Sequence, residues 1–186
     1  MNIEEIAIKM TAQSDLGRIH VYSGPGKGKT TAALGLALRA AGHGYKVKII
    51  QFLKGNPNYG ELESLKQIPN ISIIQVGHPE HVDKDNPRPE DFEGVRKGLA
   101  CAQEAMADGT DLLILDELAI ASDLGLITPQ EILKEIFERK PEHMELVITG
   151  RGAHPLLVKA ADYVSEMLSI KHPYGDGLKA RKGIEF

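Results

Sequence analysis

Apolar residues along this chain come in short runs, separated by longer segments in which they recur every three or four positions. Residues 18–22 (Arg-Ile-His-Val-Tyr), 46–52 and 71–76 predict strands. The unbroken apolar runs at 112–115 and 146–149 predict strands covered on both faces. Residues 163–170 predict the last strand. An Ala/Leu-rich helix is expected over 29–41 and a second over about 89–107. A third opens at 128–131, where Thr128 can cap, Pro129 suits the first turn and Glu131 completes a capping box. Strands alternating with helix-length segments imply right-handed crossovers and a mainly parallel sheet with helices on both faces. No internal repeat or linker interrupts the pattern, so residues 1–186 read as one α/β domain.

Three stretches fall outside that rhythm. Residues 1–16 form an N-terminal arm with a short amphipathic pattern (Ile3, Ile6, Ile8, Met10). Residues 77–90 are polar and proline-rich, as a loop is. Residues 171–186 form a tail with three glycines and a basic cluster. Long loops in a compact domain often cover a binding site.

Composition narrows the function classes. A chain of 186 residues that is 42% hydrophobic and 26% charged can bury a real core, which argues against disorder. A net charge of -4 argues against a nucleic-acid partner, which needs a basic face. The one cysteine, Cys101, can form neither an intrachain disulfide nor a multi-cysteine zinc site. With no apolar run of membrane-spanning length and no leader-like N-terminus, a cytoplasmic protein without a membrane partner is expected.

The candidate chemistry begins at Ser23-Gly-Pro-Gly-Lys-Gly-Lys-Thr30, between the first strand and the first helix. It matches the phosphate-loop pattern G-x-x-x-x-G-K-[ST] at Gly28, Lys29 and Thr30, with Ser23 in place of the first glycine. Gly24, Pro25, Gly26, Lys27 and Gly28 form a turn whose amides can face an anion, and the following helix adds its positive end. Lys29 supplies a cation for phosphate oxygens, and Thr30 a hydroxyl for magnesium. The second element is Leu112-Leu-Ile-Leu-Asp116-Glu117, an acidic pair closing a buried strand, where phosphate-binding α/β folds place a metal-side carboxylate. Glu117 could equally be a general base activating water, which would make the protein a hydrolase.

Several segments together resemble one family, the ATP:corrinoid adenosyltransferases of the BtuR/CobO type. They are Gly26-Lys-Gly-Lys-Thr-Thr-Ala-Ala33, Arg39-Ala-Ala-Gly-His-Gly44, Gln51-Phe-Leu-Lys-Gly55, Gly60-Glu61, Leu115-Asp-Glu-Leu118, Thr149-Gly-Arg-Gly152, Lys171-His-Pro173 and the closing stretch 177–186. The resemblance runs from about Arg18 to Phe186 in order, and it accommodates Ser23. It implies a RecA-like phosphate-loop fold and transfer of the 5′-deoxyadenosyl group of ATP to the Co(I) of a corrinoid, with release of triphosphate. ATP would lie in the loop in the reverse of the usual sense, freeing C5′ to face the corrin. The resemblance assigns Thr30 and Glu117 to the magnesium side. It makes Lys27, Lys29, Thr31 and Arg151 phosphate contacts and Arg39 a nucleotide contact, with Lys29 and Glu117 carrying catalysis. It further implies an external one-electron donor (flavodoxin-like or a reductase) and a homodimer whose N-terminal arm covers the partner's corrinoid. Cobalamin, cobinamide and cobyrinic acid diamide remain equal candidates as acceptor. The readings outside this family are a phosphate-loop ATPase or small-molecule kinase, and a corrinoid carrier gated by ATP.

Other chemistry-bearing residues read as structural. His20 lies in a strand, His43 in the turn after the first helix, and Cys101 in a helical pattern. His154 has no assignment. Prolines around His78 and His81 disfavour helical metal-ligand spacing. Family members place bulky aromatics in the loop matching 77–90 to displace cobalt's lower ligand. This chain has no tryptophan, and that loop offers only the two histidines.

Overall fold

Residues 16–186 are described by the structure, a computed structural model; the amphipathic arm lies outside them except for Leu16. Six strands form one sheet: β1 (Ile19–Ser23), β2 (Val47–Gln51), β3 (Ile71–Gln75), β4 (Leu112–Asp116), β5 (Glu145–Thr149) and β6 (Tyr163–Glu166). Their order is β3-β2-β4-β5-β1-β6, and every pairing is parallel. The expected mainly parallel, RecA-like sheet is therefore wholly parallel. Here β5 lies between the strand that opens the phosphate loop and the strand that ends in Asp116.

Alternation along each strand builds two cores. Ile50, Phe52, Leu113, Leu115, Leu146 and Ile148 face one side; Val47, Ile49, Leu112, Ile114 and Val147 face the other. The first side is covered by α3 (Pro89–Ala107), α4 (Leu118–Asp123), α5 (Pro129–Ile132) and α6 (Pro155–Ala160), through buried residues such as Val95, Leu118, Ile132 and Leu157. The second is covered by α1 (Lys29–Gly42) and α2 (Gly60–Leu65), through Ala33, Ala37 and Leu65. Small residues on α1 let its backbone sit close to the sheet, which fixes where the phosphate loop points.

Thr128 caps α5 as its sequence predicts: its Oγ1 accepts from the Glu131 amide at 3.2 Å, and Glu131 accepts from the Thr128 amide at 2.8 Å. The helix then widens into a π-helical turn over Leu133–Phe137. Helices α2, α4 and α6 are absent from the sequence-based expectation. Each is six residues long, too short to show a helical period.

One strand is corrected. Residues 163–170 are expected as a strand, but pairing stops at Glu166, opposite Ser23. Beyond Ser23 the neighbouring strand turns into the phosphate loop, so no ladder remains to continue. Met167 instead gives its carbonyl to the Gly26 amide at 2.6 Å.

His20 is structural, bonded through Nε2 to Glu145 Oε1 at 2.6 Å and stacked on Tyr163 at 4.5 Å. His43 caps the C-terminus of α1. Cys101 is half-buried against the first core. His154 caps α6, its Nδ1 accepting from the Leu156 amide. Residues 77–90 carry no regular structure until α3 begins; His78 and His81 are exposed, while Val82 and Phe92 pack against the core.

Candidate active site

The phosphate loop sits at the C-terminal edge of the sheet, where β1 gives way to α1. Its tight path depends on its glycines, Gly28 and Gly26 among them. Gly28 adopts φ 119° at the N-cap of α1. Gly26 approaches the β6 extension so closely that a Cβ would lie 2.6 Å from the Leu168 carbonyl. One loop amide, that of Gly26, is therefore spent on Met167 rather than turned to the cleft. Ser23 has a task of its own: its Oγ accepts from the Ala153 amide at 3.1 Å, tying the loop to the turn that carries Arg151.

Lys29 is buried and folded back on its own loop, its Nζ donating to the carbonyls of Gly24 at 2.6 Å and Gly26 at 2.7 Å. Burial holds its pKa below the usual lysine value, against the attraction of Glu117 and Asp116.

Beneath the loop lies a buried polar row. Gln75, Gln51 and Asp116 stand in register at the ends of β3, β2 and β4. Gln75 Nε2 donates to Gln51 Oε1 at 3.0 Å, and Gln51 Nε2 donates to Asp116 Oδ2 at 3.3 Å and Glu61 Oε1 at 3.1 Å. Asp116 Oδ1 accepts from the hydroxyls of Thr30 at 2.8 Å and Thr149 at 2.7 Å. Lys54 Nζ donates to Asp116 Oδ2 at 2.7 Å, and this ion pair holds the Lys54 ammonium above its usual pKa despite burial. Both oxygens of Asp116 are thus fully engaged.

Glu117 is the opposite case. Its backbone is left-handed, φ 68°, with its amide donating to Thr149 Oγ1 at 2.9 Å. Its Oε2 is buried with no hydrogen-bond partner among the described residues. Burial first, and the charge of Asp116 second, push its pKa above the usual carboxylate range, partly offset by Lys54, Lys29 and Arg151. A buried carboxylate oxygen left unpaired, on a residue that lines the same cleft as Thr30, whose hydroxyl hydrogen is donated to Asp116, suits a cation. Among the described residues no three His, Cys, Asp or Glu converge. A magnesium ion here would therefore draw most of its ligands from phosphate and water, as that ion commonly does.

The phosphate loop, Lys54 and Glu117 open onto one cleft of about 580 Å³. It brings together Pro25, Gly26, Lys27, Gly28, Lys29, Thr30, Thr31, Glu117 and Arg151 of the residues expected at the site. Gly24 stands behind them as an acceptor for Lys29. Arg39 is not brought in. It lies ten residues beyond Lys29 on α1, about 15 Å along the axis, and lines a separate cavity of about 180 Å³ with His43, Tyr45 and Glu145. The cleft also contains residues to which sequence reasoning gave no role. Lys54, Tyr59, Glu61 and the tail residues Gly183, Ile184, Glu185 and Phe186 line it, and Lys27 Nζ donates to the Ile184 carbonyl at 3.1 Å. Their only signal was membership of the segments that carry the family resemblance, and Tyr59, which lies between two of those segments, had none.

The Thr149-Gly-Arg-Gly152 segment now has a physical account. Thr149 bonds Asp116 and receives the Glu117 amide, while Gly150 abuts α4, where a Cβ would meet that of Ala119 at 2.7 Å. Arg151 then turns into the cleft.

Comparison with known proteins gives a concordant result. The family model described as ATP:corrinoid adenosyltransferase BtuR/CobO/CobP matches residues 15–186. The corrinoid adenosyltransferase of Escherichia coli (strain K12) is 38% identical over 176 residues, covering 94% of this chain and 88% of the relative. That of Pseudomonas aeruginosa is 36% identical over 176 residues, 94% of this chain and 86% of the relative. Corrinoid adenosyltransferase CobA of Salmonella typhimurium is 36% identical, with 94% and 88% coverage.

Proposed function

The chain belongs to the ATP:corrinoid adenosyltransferase family BtuR/CobO/CobP, and on that premise we propose that its cleft seats the triphosphate of ATP with C5′ turned outward to a corrinoid. The enzyme transfers the 5′-deoxyadenosyl group of ATP to Co(I), in adenosylcobalamin synthesis or salvage. The cobalt–carbon bond forms as the C5′–oxygen bond breaks, and triphosphate departs with the bonding electron pair. The acceptor's own metal is the nucleophile, so the protein's work is to orient C5′ and stabilise the leaving group.

The observation that carries this reading of the cleft is the meeting in one cavity of the phosphate loop, Arg151 and Glu117, one of whose carboxylate oxygens is buried without a partner. Lys29 swings from the Gly24 and Gly26 carbonyls to phosphate oxygen, joined by Lys27, the Thr31 hydroxyl and Arg151. Thr30 and Glu117 would hold magnesium, which supplies charge neutralisation to the departing triphosphate. Donors already in place cost little reorganisation when that charge develops. The tail closes one wall of the cleft and limits water there. A homodimer, a flavodoxin-like or reductase electron donor and a cytoplasmic setting belong to the same proposal. Their support is the family and, for the last, a single half-buried cysteine. Among the described residues, no helix is long and apolar enough to cross a membrane.

The test is anaerobic incubation with ATP, magnesium and chemically reduced corrinoid. A light-sensitive cobalt–carbon product and one equivalent of triphosphate are expected. Release of ADP without that product would instead support a hydrolase or kinase with Glu117 as base.

A further inference from the structure

The most unusual charge in the cleft is one that the phosphate-loop pattern does not call for. Lys54 Nζ lies 2.7 Å from Asp116 Oδ2 and 3.5 Å from Thr30 Oγ1, bridging the carboxylate and the hydroxyl. Its side chain is 14% exposed and that of Asp116 1%. Glu117 and Glu61 add their fields to hold the ammonium there, and the Tyr59 ring lies 5.4 Å away. We propose that Lys54 is an internal stand-in for the divalent cation: it supplies positive charge between Asp116 and Thr30 until metal and nucleotide arrive together, and so prevents loading of metal alone. This rests on the reading that Thr30 and Glu117 take magnesium.

The backbone supports a fixed base for the lysine. Leu53 adopts φ 58°, a left-handed conformation rare for a branched side chain. The turn is clasped by Gly77, where a Cβ would lie 2.4 Å from both Leu53 C and Lys54 N. Only the side chain of Lys54 is free to swing. The charges of Asp116, Glu117 and Glu61 all act on the Lys54 ammonium, and without it Asp116, bonded to Thr30, would be an uncompensated buried carboxylate able to attract a divalent ion. With the ammonium in place, an incoming ion meets a like charge at short range, where burial of the Lys54–Asp116 pair weakens solvent screening. The triphosphate's negative charge relieves that repulsion and offers Lys54 new partners. Lys54 is thus a positioning residue that orders binding, metal with nucleotide rather than metal first.

The probe is Mn2+, followed by the electron paramagnetic resonance signal of the free ion, with the intact enzyme and its Lys54→Met and Lys54→Arg variants. Without nucleotide, Lys54→Met is expected to bind Mn2+ at least tenfold more tightly than wild type, and Lys54→Arg like wild type. The Lys54→Met/Asp116→Asn pair removes both partners of the buried Lys54–Asp116 ion pair together, so it guards against failure to fold. It should return nucleotide-free Mn2+ binding to the wild-type level. Circular dichroism checks folding of each variant. Equal nucleotide-free Mn2+ affinity in wild type and Lys54→Met would overturn the inference. So would wild-type affinity that is the same with and without ATP. The underlying metal assignment fails separately, if Glu117→Gln leaves Mn2+ retention by the enzyme–ATP complex unchanged.

Discussion

Replacing Glu117 with glutamine should stabilise the fold while damaging the enzyme. In the wild type, Oε2 is buried without a partner, and the carboxylate lies beside the charge of Asp116. A buried polar atom left unsatisfied costs about 1–3 kcal/mol. Glutamine keeps the shape and removes the charge, but its amide hydrogens also need partners, so the gain falls at the low end. The left-handed backbone at Glu117 is the same in both proteins and cancels. We expect Glu117→Gln to gain about 1 kcal/mol at pH 7.5, or roughly 2–4 °C in Tm for a chain of this size. The pH dependence has a definite sign. The Glu117 pKa is raised in the folded state, so protonation favours folding. Its stabilising contribution is complete below the unfolded value of 4.5 and is lost as pH rises through the elevated folded value. The difference between variant and wild type should therefore be small at pH 4.5 and open towards pH 7.5. Urea unfolding at both pH values measures it. Adenosyl transfer by the same variant should need more magnesium for half-maximal rate. A variant less stable than wild type at pH 7.5, or a difference equal at both pH values, would show that Glu117 is not a strained, unpaired carboxylate.

Lys29→Ala removes the cation that reaches the leaving group and also frees the Gly24 and Gly26 carbonyls, so transfer should slow by about a hundredfold or more. Near wild-type turnover at saturating ATP and magnesium would take Lys29 out of the mechanism. Deleting residues 183–186 opens a wall of the cleft, and calorimetry should show ATP binding weakened by roughly tenfold, for a loss of about 1.4 kcal/mol; an unchanged Kd would leave the tail no part in the site. The loop at 77–90 exposes His78 and His81, while Val82 and nearby Phe92 pack against the core, so that loop presents no free bulky aromatic of the kind that would displace cobalt's lower ligand. With a mild reductant, cobinamide or cobyrinic acid diamide should therefore react faster than complete cobalamin, and a strong reductant should shrink the difference. Equal rates under the mild reductant, with a four-coordinate Co(II) signal from cobalamin, would contradict this.

How much of this was legible in the chain depended on how local each signal is. Continuous apolar runs at 112–115 and 146–149 announced buried strands because both faces of a parallel sheet must be apolar. The phosphate loop was readable because its glycines, Lys29 and Thr30 act within eight residues of one another. Thr128-Pro-Gln-Glu131 revealed its cap for the same reason. What the sequence could not decide was division of labour between groups distant along the chain. Asp116 and Glu117 are adjacent carboxylates with no local difference. Only the meeting of Thr30, Gln51, Lys54 and Thr149 around Asp116 saturates one and leaves an oxygen of the other bare. Arg39 follows the loop on the same helix, yet helical rise carries it away from the cleft, whereas Phe186, at the far end of the chain, returns to line it. The last strand stops at Glu166 because its neighbour bends into the phosphate loop at Ser23, a limit set by the partner strand rather than by any residue in the segment itself. Local periodicity and turn chemistry reside in the sequence; hydrogen-bond saturation, burial and strand partnership exist only once remote segments meet.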